Sequence, residues 1–440
     1  MKSYFTITLG CKVNQCESAA LGHLIEAKGY VRSDDQGSPE VVIVNTCTVT
    51  GKAAMQSRQA IRQAIRRHPG ARIIVTGCYA QTAPEELKAI EGVDLIIGHD
   101  DKLRIAELLP KGDPGVASVP IVQRGNVQAC GFSSMPSVAL EDRTRAFLKI
   151  QDGCNTRCTY CIVPYARGRS RSMPEIDVLV HMHRLENKGI REVVLTGIHL
   201  GVYGADLNPR TSLAAILENI LENTVIDRIR LSSIEPTEID DRIIALAVQS
   251  RGRVCRHFHI PLQSGDNDTL RRMGRPYTRE AFSNIVNRIH DRMPGAAIGV
   301  DVMAGFPGET EAAFSNTYQL LEALPVTYLH VFPYSPRKGT PAATYSDKVP
   351  ESAAKERCRR LRDLGDRKRA AFHHAMIGQR LEVLSETGTD PETGRAMGLS
   401  DNYVPVAVVG EEVKENQMIT TRIIAIASDG KGIGKKEVEM

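Results

Sequence analysis

The sequence of 440 residues predicts a mixed α/β protein built from three parts. Residues 1–110 alternate short apolar runs with amphipathic segments of helical length, which is typical of an open parallel sheet with crossover helices. Residues 144–375 contain six strand-like runs with helical segments between them, too few for an eight-stranded barrel, and predict a partial (βα)6 barrel. Residues 376–440 hold short β-rich runs separated by Gly and Asn turns, and predict a small all-β barrel.

Composition narrows the class of protein. The chain has 56 basic and 52 acidic residues, and its net charge of +4 permits an acidic partner without requiring one. Ten cysteines, six of them in two separated groups of three, favour metal chemistry in a reducing compartment over a disulfide framework. No apolar run approaches about 20 residues, and the N-terminus lacks a signal-peptide pattern. We therefore expect a cytoplasmic protein that makes no contact with a membrane.

The first part is expected to contain four strands and three helical segments. Gly29 and the pair Pro69-Gly70 end the first two helices. The strands are predicted at residues 4–9, 41–44, 72–75 and 95–97, and the helices at residues 14–28, 52–67 and 83–90. Residues 111–143 show no clear period, which predicts a linker or wrapping segment.

Three cysteines follow the first three predicted strands. Cys11 comes after the first strand, Cys47 after the second and Cys78 after the third. Because the carboxyl ends of parallel strands lie along one edge of a sheet, where ligands bind, we expect these strand-end cysteines to converge. Three thiolates without a fourth ligand predict a metal cluster with one open iron.

A second group, Cys154, Cys158 and Cys161, forms a C-x3-C-x2-C loop just after the apolar run at residues 146–150. Thiolates are soft ligands that suit iron–sulfur clusters or zinc. These loop cysteines have no neighbouring histidine, whereas a closed structural site needs four protein ligands. The pattern favours a catalytic centre with an open metal position, and the alternative is a zinc knuckle completed by a distant ligand.

Three further cysteines are interpreted as structural. Cys16 lies one helical turn into the first helix and is near enough to Cys11 to be a spare thiol, but a small buried side chain is the simpler interpretation. Cys130 has no cysteine or histidine close to it in the sequence, and Cys358 lies on a predicted helix.

The strand ends of the middle part carry polar and glycine-rich segments, where sites in parallel barrels gather. The six strands are predicted at residues 146–150, 192–195, 229–232, 257–260, 297–303 and 328–332. After the cysteine loop, the strand-end segments are residues 196–199, 232–236, 259–265 and 305–309. His181 and His183 lie two residues apart on a predicted helix, so their rings face different sides and joint metal binding is not expected.

The C-x3-C-x2-C loop with a partial barrel resembles the radical S-adenosylmethionine (SAM) enzymes. The resemblance implies that the loop cysteines hold a [4Fe-4S] cluster whose fourth iron binds SAM, which is cleaved to a 5′-deoxyadenosyl radical. The preceding three-cysteine part is similar to the methylthiotransferases, which implies an auxiliary [4Fe-4S] cluster on the strand-end cysteines. Inserting sulfur at an unactivated aromatic C–H bond needs such a radical, and the cofactors carry that chemistry.

The same resemblance implies SAM contacts at the strand ends of the barrel. It places Thr196 and Gly197 near the SAM amino group, and Ser233, Glu235 and Gln263 where contacts to the ribose or carboxylate are usual. Each of these residues could instead be a strand-end polar group that is satisfied within the protein.

Three arginines, Arg167, Arg169 and Arg171, follow the cysteine loop closely. We predict that one of them pairs with the SAM carboxylate or with an RNA phosphate, and Arg167 is the candidate. The alternative is a solvated basic loop.

The C-terminal part begins with a basic helix at residues 351–375, which is either a solvated face or a contact for phosphates. The β-rich runs at residues 380–386, 403–409 and 418–427 resemble the TRAM domain, an RNA-binding barrel that methylthiotransferases append. Residues 430–435 fail the spacing and context of a phosphate-binding loop, and are predicted to be a tail.

Two stretches resemble the family branch that acts on threonylcarbamoyladenosine: residues 8–15, TLGCKVNQ, and residues 45–50, NTCTVT. Cys16 departs from the aromatic residue expected at its position. The predicted reaction is 2-methylthiolation of N6-threonylcarbamoyladenosine at position 37 of tRNA, with SAM as methyl donor and radical source. The expected cofactors are two [4Fe-4S] clusters and SAM. The expected partners are the tRNA anticodon loop and an electron donor such as flavodoxin or ferredoxin. The enzyme itself is expected to be a monomer.

Other functions remain open at this point. Within the family, the alternatives are isopentenyladenosine at position 37 of tRNA and an aspartate of a ribosomal protein. Outside it, the chain could be an RNA-binding protein with purely structural metal, or an iron–sulfur redox or maturation protein, which would not need an RNA-binding barrel.

Overall fold

The computed structural model describes residues 2–34, 37–109, 121–123, 125, 127–128, 131–135, 144–410 and 413–437. Most of the predicted linker at residues 111–143, including Cys130, lies outside these residues. The chain forms two compact units, each described by itself. The first unit comprises Met1–Val138, Lys149–Met173 and Ser335–Thr344, and the second comprises Ala139–Leu148, Pro174–Tyr334 and Tyr345–Met440. The domain limits at residues 110, 143 and 375 stay predictions.

Strands and helices are numbered in chain order. The strands are β1 Ser3–Thr8, β2 Val31–Arg32, β3 Val41–Thr46, β4 Arg72–Gly77, β5 Leu95–Ile97, β6 Ile121–Gln123, β7 Arg145–Lys149, β8 Gln151–Asp152, β9 Arg171–Ser172, β10 Glu192–Thr196, β11 Arg228–Leu231, β12 His257–Gln263, β13 Ala297–Ala304, β14 Tyr328–Pro333, β15 Arg380–Thr389, β16 Ala396–Ser400, β17 Pro405–Val409, β18 Met418–Ile426 and β19 Gly432–Lys436. The helices are α1 Lys12–Glu26, α2 Gly51–Arg67, α3 Cys78–Thr82, α4 Pro84–Lys88, α5 Val163–Arg167, α6 Glu175–Asn187, α7 Leu213–Asn223, α8 Asp241–Gln249, α9 Asn267–Met273, α10 Arg279–Arg292, α11 Glu311–Ala323 and α12 Glu351–Ala375.

The first unit contains a six-stranded sheet in the order β2-β1-β3-β4-β5-β6, with all neighbouring strands parallel. This confirms the predicted parallel sheet and adds the edge strands β2 and β6. Successive residues of β3 face opposite sides, so Val42 and Val44 pack in the core with α2, whereas Val41 and Ile43 pack with α1. The sheet is therefore covered on both faces, as parallel sheets usually are.

The helices of the first unit begin where the sequence provides a start signal. Thr50 caps α2, because its Oγ1 accepts a hydrogen bond from Ala53 N at 3.0 Å. The helix predicted at residues 83–90 is present as the shorter α4, and α3, which directly precedes it, was not predicted. Pro84 has no N–H with which to continue α3, and it becomes the first residue of α4.

The six strands predicted for the partial barrel are present as β7 and β10 to β14. They form two three-stranded sheets, β11-β10-β7 and β12-β13-β14. A parallel bridge between Ile229 and Val254 and a hydrogen bond from Ile234 N to His259 O, 3.0 Å, connect the two sheets. The partial barrel is confirmed, and its strands form two joined halves.

The C-terminal strands close into a barrel in the order β15-β16-β17-β19-β18. The prediction of a small all-β barrel is confirmed, but the prediction of a tail at residues 430–435 is wrong. This segment contains β19, which pairs parallel with β17 and antiparallel with β18. Gly432 and Gly434 flank Ile433, so the strand lacks the apolar alternation by which strands are recognised in a sequence.

Among the described residues, no helix combines the length and the apolar character needed to cross a lipid bilayer.

Candidate metal centres

The strand-end cysteines lie at one edge of the sheet in the first unit. Cys11 follows β1 as the N-cap of α1, Cys47 directly follows β3, and Cys78 directly follows β4 as the first residue of α3. These three strands are neighbours, and their ends are level because Thr8 pairs with Asn45 and Thr46 pairs with Gly77. The predicted placement of the three thiols along a common edge is therefore what the fold provides.

Gly10 allows the loops that carry Cys11 and Cys47 to approach each other. Its φ of +97° lies in the left-handed region that glycine tolerates. A Cβ atom at this position would lie 2.7 Å from Cys47 Cβ and 2.9 Å from Cys47 Sγ. Any larger residue would push the Cys47 thiol away from the edge.

Two buried asparagines fix these loops through their backbone. Asn14 Nδ2 donates to Leu9 O at 2.7 Å and to Thr46 O at 3.1 Å, so a single amide joins the approach to Cys11 with the approach to Cys47. Asn45 Nδ2 donates to Asn14 O at 2.9 Å. Ser57 holds Cys47 itself, accepting from its N at 3.1 Å and donating to its O at 2.9 Å.

The loop cysteines lie between β8 and β9, which pair antiparallel and bring the ends of the segment together. Cys154 N donates to Gly168 O at 3.1 Å, and Cys161 N donates to Cys158 O at 3.0 Å. Gly153, at φ +71°, passes so close to the returning chain that a Cβ would lie 2.0 Å from Arg169 O. The segment is therefore a compact loop on which Cys158 is buried and the other two cysteines are half-buried.

Both donor sets fit iron–sulfur clusters. Each offers three thiols, which are the ligands that soft metal centres prefer, and the nine described cysteines form no disulfide. Burial raises the pKa of Cys47, and it raises the pKa of Cys78 to about 11. These thiols therefore keep their protons in the metal-free protein, and loading a metal must release them. Burial also raises the pKa of Cys16 to about 12, in keeping with the predicted packing role.

A buried charged cluster lies in the same unit and was not predicted from the sequence. We call it the Glu17–Asp152 cluster. Its two carboxylates are surrounded by the side chains of Lys102, Lys149, Arg167 and Arg171.

Glu17 accepts hydrogen bonds from three cations in this cluster. The bonds come from Lys102 Nζ at 2.5 Å, Lys149 Nζ at 3.2 Å and both terminal nitrogens of Arg167 at 2.8 and 3.2 Å. Burial alone would raise the pKa of Glu17, but the charges of Arg167, Lys102 and Lys149 outweigh it and hold the pKa well below its usual range. Asp152 is likewise kept ionised: burial opposes this, and Lys149 and Arg167 lower its pKa.

The sequence carried one signal of this cluster. Glu17 lies on the buried face of α1 between Val13 and Leu21, where an apolar residue is expected. A charge at such a position needs a partner.

Arg167 occupies a different environment from the one predicted. Its guanidinium is only 1% exposed and is bonded to Glu17, Asp152 and Asn14. The contact with SAM remains a prediction; both terminal nitrogens of Arg167 are already engaged, whereas its Nε has no hydrogen-bond partner among the described residues. Arg169 is exposed, whereas Arg171 is buried and donates to Arg167 O at 2.9 Å.

The residues predicted to contact SAM lie at strand ends of the second unit. Thr196 ends β10 and is buried, Gly197 follows it, and Ser233 is exposed after β11. Glu235 is ion-paired with Arg275; burial raises the pKa of Glu235, and the Arg275 charge opposes that change.

Gln263 ends β12 with φ +63°, a left-handed conformation that is uncommon outside glycine. The strand ends therefore gather polar groups as a parallel barrel predicts.

A hydrogen-bonded row of side chains on β12, β13 and β14 was also not predicted from the sequence. His259 Nε2 is 2.8 Å from Asp301 Oδ1, and His330 Nδ1 is 3.4 Å from the same oxygen. Tyr328 Oη lies 2.8 Å from His257 Nε2 and 3.2 Å from His259 Nδ1. Burial would raise the pKa of Asp301, but the bonds to His259 and His330 lower it. Since His330 is 55% exposed, this row offers polar groups to a ligand.

The basic helix α12 is largely paired within the second unit. Arg357 bonds Glu309 Oε2 at 2.8 Å, and Arg359 bonds Glu356 at 2.6 Å and Asp363 at 2.8 Å. Arg357 is buried and Arg359 is exposed, and for both arginines these pairs favour internal charge compensation over a phosphate contact.

Family models and relatives agree with this arrangement. Residues 3–98 match the model described as uncharacterized protein family UPF0004, and residues 148–321 match the radical SAM superfamily. The chain is 40% identical over 420 residues to threonylcarbamoyladenosine tRNA methylthiotransferase MtaB of Bacillus subtilis, covering 95% of this chain and 92% of that protein. The chain belongs to the radical SAM methylthiotransferases. Membership in this family implies a [4Fe-4S] cluster and SAM.

Other relatives span more than one named substrate. The methylthiotransferase is 36% identical over 432 residues to MtaB of Thermotoga maritima, covering 98% of this chain and 96% of that protein. It is also 34% identical over 410 residues to tRNA-2-methylthio-N(6)-dimethylallyladenosine synthase of Acetivibrio thermocellus, covering 90% and 84%.

Among solved structures, the radical SAM methyltransferase TsrM of Kitasatospora setae matches with a TM-score of 0.52 at 18% identity, covering 78% of this chain and 77% of that one. At this identity the likeness concerns the fold alone.

Proposed function

We propose that this methylthiotransferase converts N6-threonylcarbamoyladenosine at position 37 of tRNA into its 2-methylthio derivative. The observation that carries the proposal is 36–40% identity, over at least 86% of the chain, to four relatives named for this substrate. Two separate three-thiol sets in one compact unit support it, because the reaction needs one centre for radical formation and another for sulfur.

We assign one [4Fe-4S] cluster and SAM to the loop cysteines, and an auxiliary [4Fe-4S] cluster to the strand-end cysteines. When bound, these groups supply a 5′-deoxyadenosyl radical, a methyl group and sulfur. The protein's own contribution is to hold the thiols on short, braced loops. Thr196, Gly197, Ser233, Glu235 and Gln263 are proposed to orient SAM from the strand ends of the barrel.

The polar row on β12, β13 and β14 favours the threonylcarbamoyl substrate over the isopentenyl one. The threonylcarbamoyl group carries a carboxylate, a hydroxyl and amide groups, whereas the isopentenyl group is a hydrocarbon. His259, Asp301, Tyr328 and the 55% exposed His330 form a polar row that offers hydrogen bonds to such a group and none to a hydrocarbon. Such sites discriminate strongly against analogues that lack the polar group.

Partners follow from the same proposal. The C-terminal barrel is proposed to bind the tRNA anticodon loop, and flavodoxin or ferredoxin is proposed as the electron donor to a monomeric enzyme. The barrel resembles RNA-binding modules in strand number and closure, which is the feature that supports this role.

Nucleoside mass spectrometry of tRNA tests the proposal. A strain without the gene should accumulate threonylcarbamoyladenosine and lack its methylthio form, and the wild-type gene should restore that form. A gene encoding Cys154→Ala provides the matched inactive control. Restoration of methylthio-isopentenyladenosine alone would contradict the proposed substrate and favour the second family branch.

A further inference from the structure

We propose that Arg167 is a positioning residue that fixes the loop cysteines relative to the strand-end cysteines. The inference rests on the proposed function, since it assumes that both thiol sets carry clusters. All contacts that carry it lie within the first unit.

Arg167 is tied to the start of the cysteine loop in two ways. Its Nη1 donates to Asp152 Oδ1 at 3.0 Å, and the same oxygen accepts from Gly153 N at 2.8 Å. Gly168, the residue after Arg167, accepts the N–H of Cys154 at 3.1 Å. The guanidinium therefore cannot shift without moving the start of the cysteine loop.

The other side of the guanidinium reaches the strand-end cysteines through one side chain. Nη2 donates to Asn14 Oδ1 at 2.7 Å. Asn14 in turn donates through Nδ2 to Leu9 O and Thr46 O, at 2.7 and 3.1 Å. Leu9 lies two residues before Cys11 and Thr46 directly precedes Cys47, so Arg167 and Asn14 link the two thiol sets through side-chain hydrogen bonds.

Glu17 fixes the plane of this link. It accepts from both Nη1 and Nη2 of Arg167, at 2.8 and 3.2 Å, and is itself held by Lys102 and Lys149. The planar fork of arginine makes four hydrogen bonds to Glu17, Asp152 and Asn14 in a fixed geometry, whereas a lysine ammonium is a point charge with three donors. An arginine at position 167 therefore holds these three partners in one fixed arrangement.

If the link has this role, breaking it should affect SAM cleavage and methylthio transfer to different extents. Reductive cleavage of SAM needs the loop cysteines alone, whereas methylthio transfer needs both sets at the correct separation. Positioning effects are steep, and a misplacement of about 1 Å can cost on the order of 100-fold in rate. Weakening the link should therefore lower transfer far more than SAM cleavage.

The test compares full-length, reconstituted wild-type enzyme with Arg167→Lys on tRNA that carries threonylcarbamoyladenosine. We expect 5′-deoxyadenosine formation within about twofold of wild type, and methylthio product per 5′-deoxyadenosine lowered by about tenfold or more. The iron content should stay the same, whereas the spin–spin coupling between the two reduced clusters in the EPR spectrum should change. Arg66→Gln, at the exposed end of α2, is the matched arginine control and should leave all four readouts unchanged.

Asn14→Ala provides a second variant that keeps the charges of the Glu17–Asp152 cluster intact. It cuts the same link from the other side, so it should lower the product ratio and alter the spin coupling in the same way. The double variant should be no worse than the more affected single one, because both remove one connection.

Three outcomes would overturn the inference. One is a parallel fall in SAM cleavage and transfer with a raised KM for SAM, which would make Arg167 a SAM contact as the sequence predicted. Another is an unchanged product ratio and an unchanged spin coupling in both variants. A third is loss of iron from the variants, which would show that the Glu17–Asp152 cluster only stabilises the fold. If wild-type enzyme fails to modify this tRNA, the proposed function fails, and the EPR comparison still tests the position of the clusters.

Discussion

Two buried glutamates, one in each unit, show the same chemistry put to different uses. Glu17 in the first unit and Glu192 in the second are at most 1% exposed, and each is surrounded by cations. Arg230 bonds both oxygens of Glu192 at 2.8 and 3.2 Å, and Arg228 lies 3.6 Å away.

The difference lies in where the remaining donors go. Arg228 and Arg230 donate onward to backbone carbonyls of the C-terminal barrel, among them Leu399 O at 2.9 Å and Asp401 O at 3.0 Å. Arg167 instead donates to side chains that brace the cysteine loops. The second network therefore holds one barrel against another, whereas the first one places functional loops.

The largest effects should come from removing each glutamate. Glu17→Ala and Glu192→Ala both leave buried cations unpaired, and each should lower the free energy of unfolding by about 3–5 kcal/mol. Thermal unfolding of the metal-free proteins measures this loss.

The activity of the same two variants distinguishes the two networks further. Only Glu17→Ala should lower methylthio product per 5′-deoxyadenosine. Equal falls in that ratio would show that the two networks do not differ in function.

A smaller effect should come from buried histidines as the pH falls. Burial, reinforced by the charges of Lys102 and Arg167, lowers the pKa of His99 well below its usual value. The unfolded chain therefore binds more protons below about pH 6.5, and stability should fall there by up to about 1.4 kcal/mol per pH unit. His99→Gln should flatten this slope in chemical denaturation of the metal-free protein.

His181 in the second unit is the matched comparison. Burial and the charge of Arg184 also lower its pKa, but less far than that of His99. His181→Gln should therefore flatten the slope less than His99→Gln, and the reverse order would contradict the account of the first network.

The smallest effects should come from matched helix caps. Thr50 Oγ1 accepts from Ala53 N in the first unit, and Ser212 Oγ accepts from Ala215 N at 3.2 Å in the second. Thr50→Ala and Ser212→Ala should each cost about 1 kcal/mol in urea unfolding, because a cap acts locally. A much larger cost for Thr50→Ala would show that the Cys47 loop depends on its helix.

The placement of the cysteines could be predicted because it depends on local patterns. Strand and helix periods locate the strand ends near Cys11, Cys47 and Cys78, and parallel topology then aligns them. Local patterns also explain the errors. The short helix α3, which ends before Pro84, was not predicted, and Gly432 and Gly434 interrupt the apolar pattern by which the last strand would have been recognised.

The Glu17–Asp152 cluster could not be predicted, because its partners are remote in the sequence. Glu17 meets Lys102, Lys149 and Arg167 across 85, 132 and 150 residues. A sequence shows that a buried charge needs a partner, but only the fold shows which one it has. For the same reason the loop position of Arg167 suggested a ligand contact, while the fold engages its guanidinium elsewhere.

The most direct test of two centres with separate roles is one reconstitution experiment with paired cysteine variants. Wild type should bind about 8 iron atoms per chain, and Cys47→Ala and Cys158→Ala about 4 each. Cys47→Ala should still form 5′-deoxyadenosine but no methylthio product, whereas Cys158→Ala should form neither. Full methylthio product from Cys47→Ala, or zinc in place of iron in the wild type, would contradict the account.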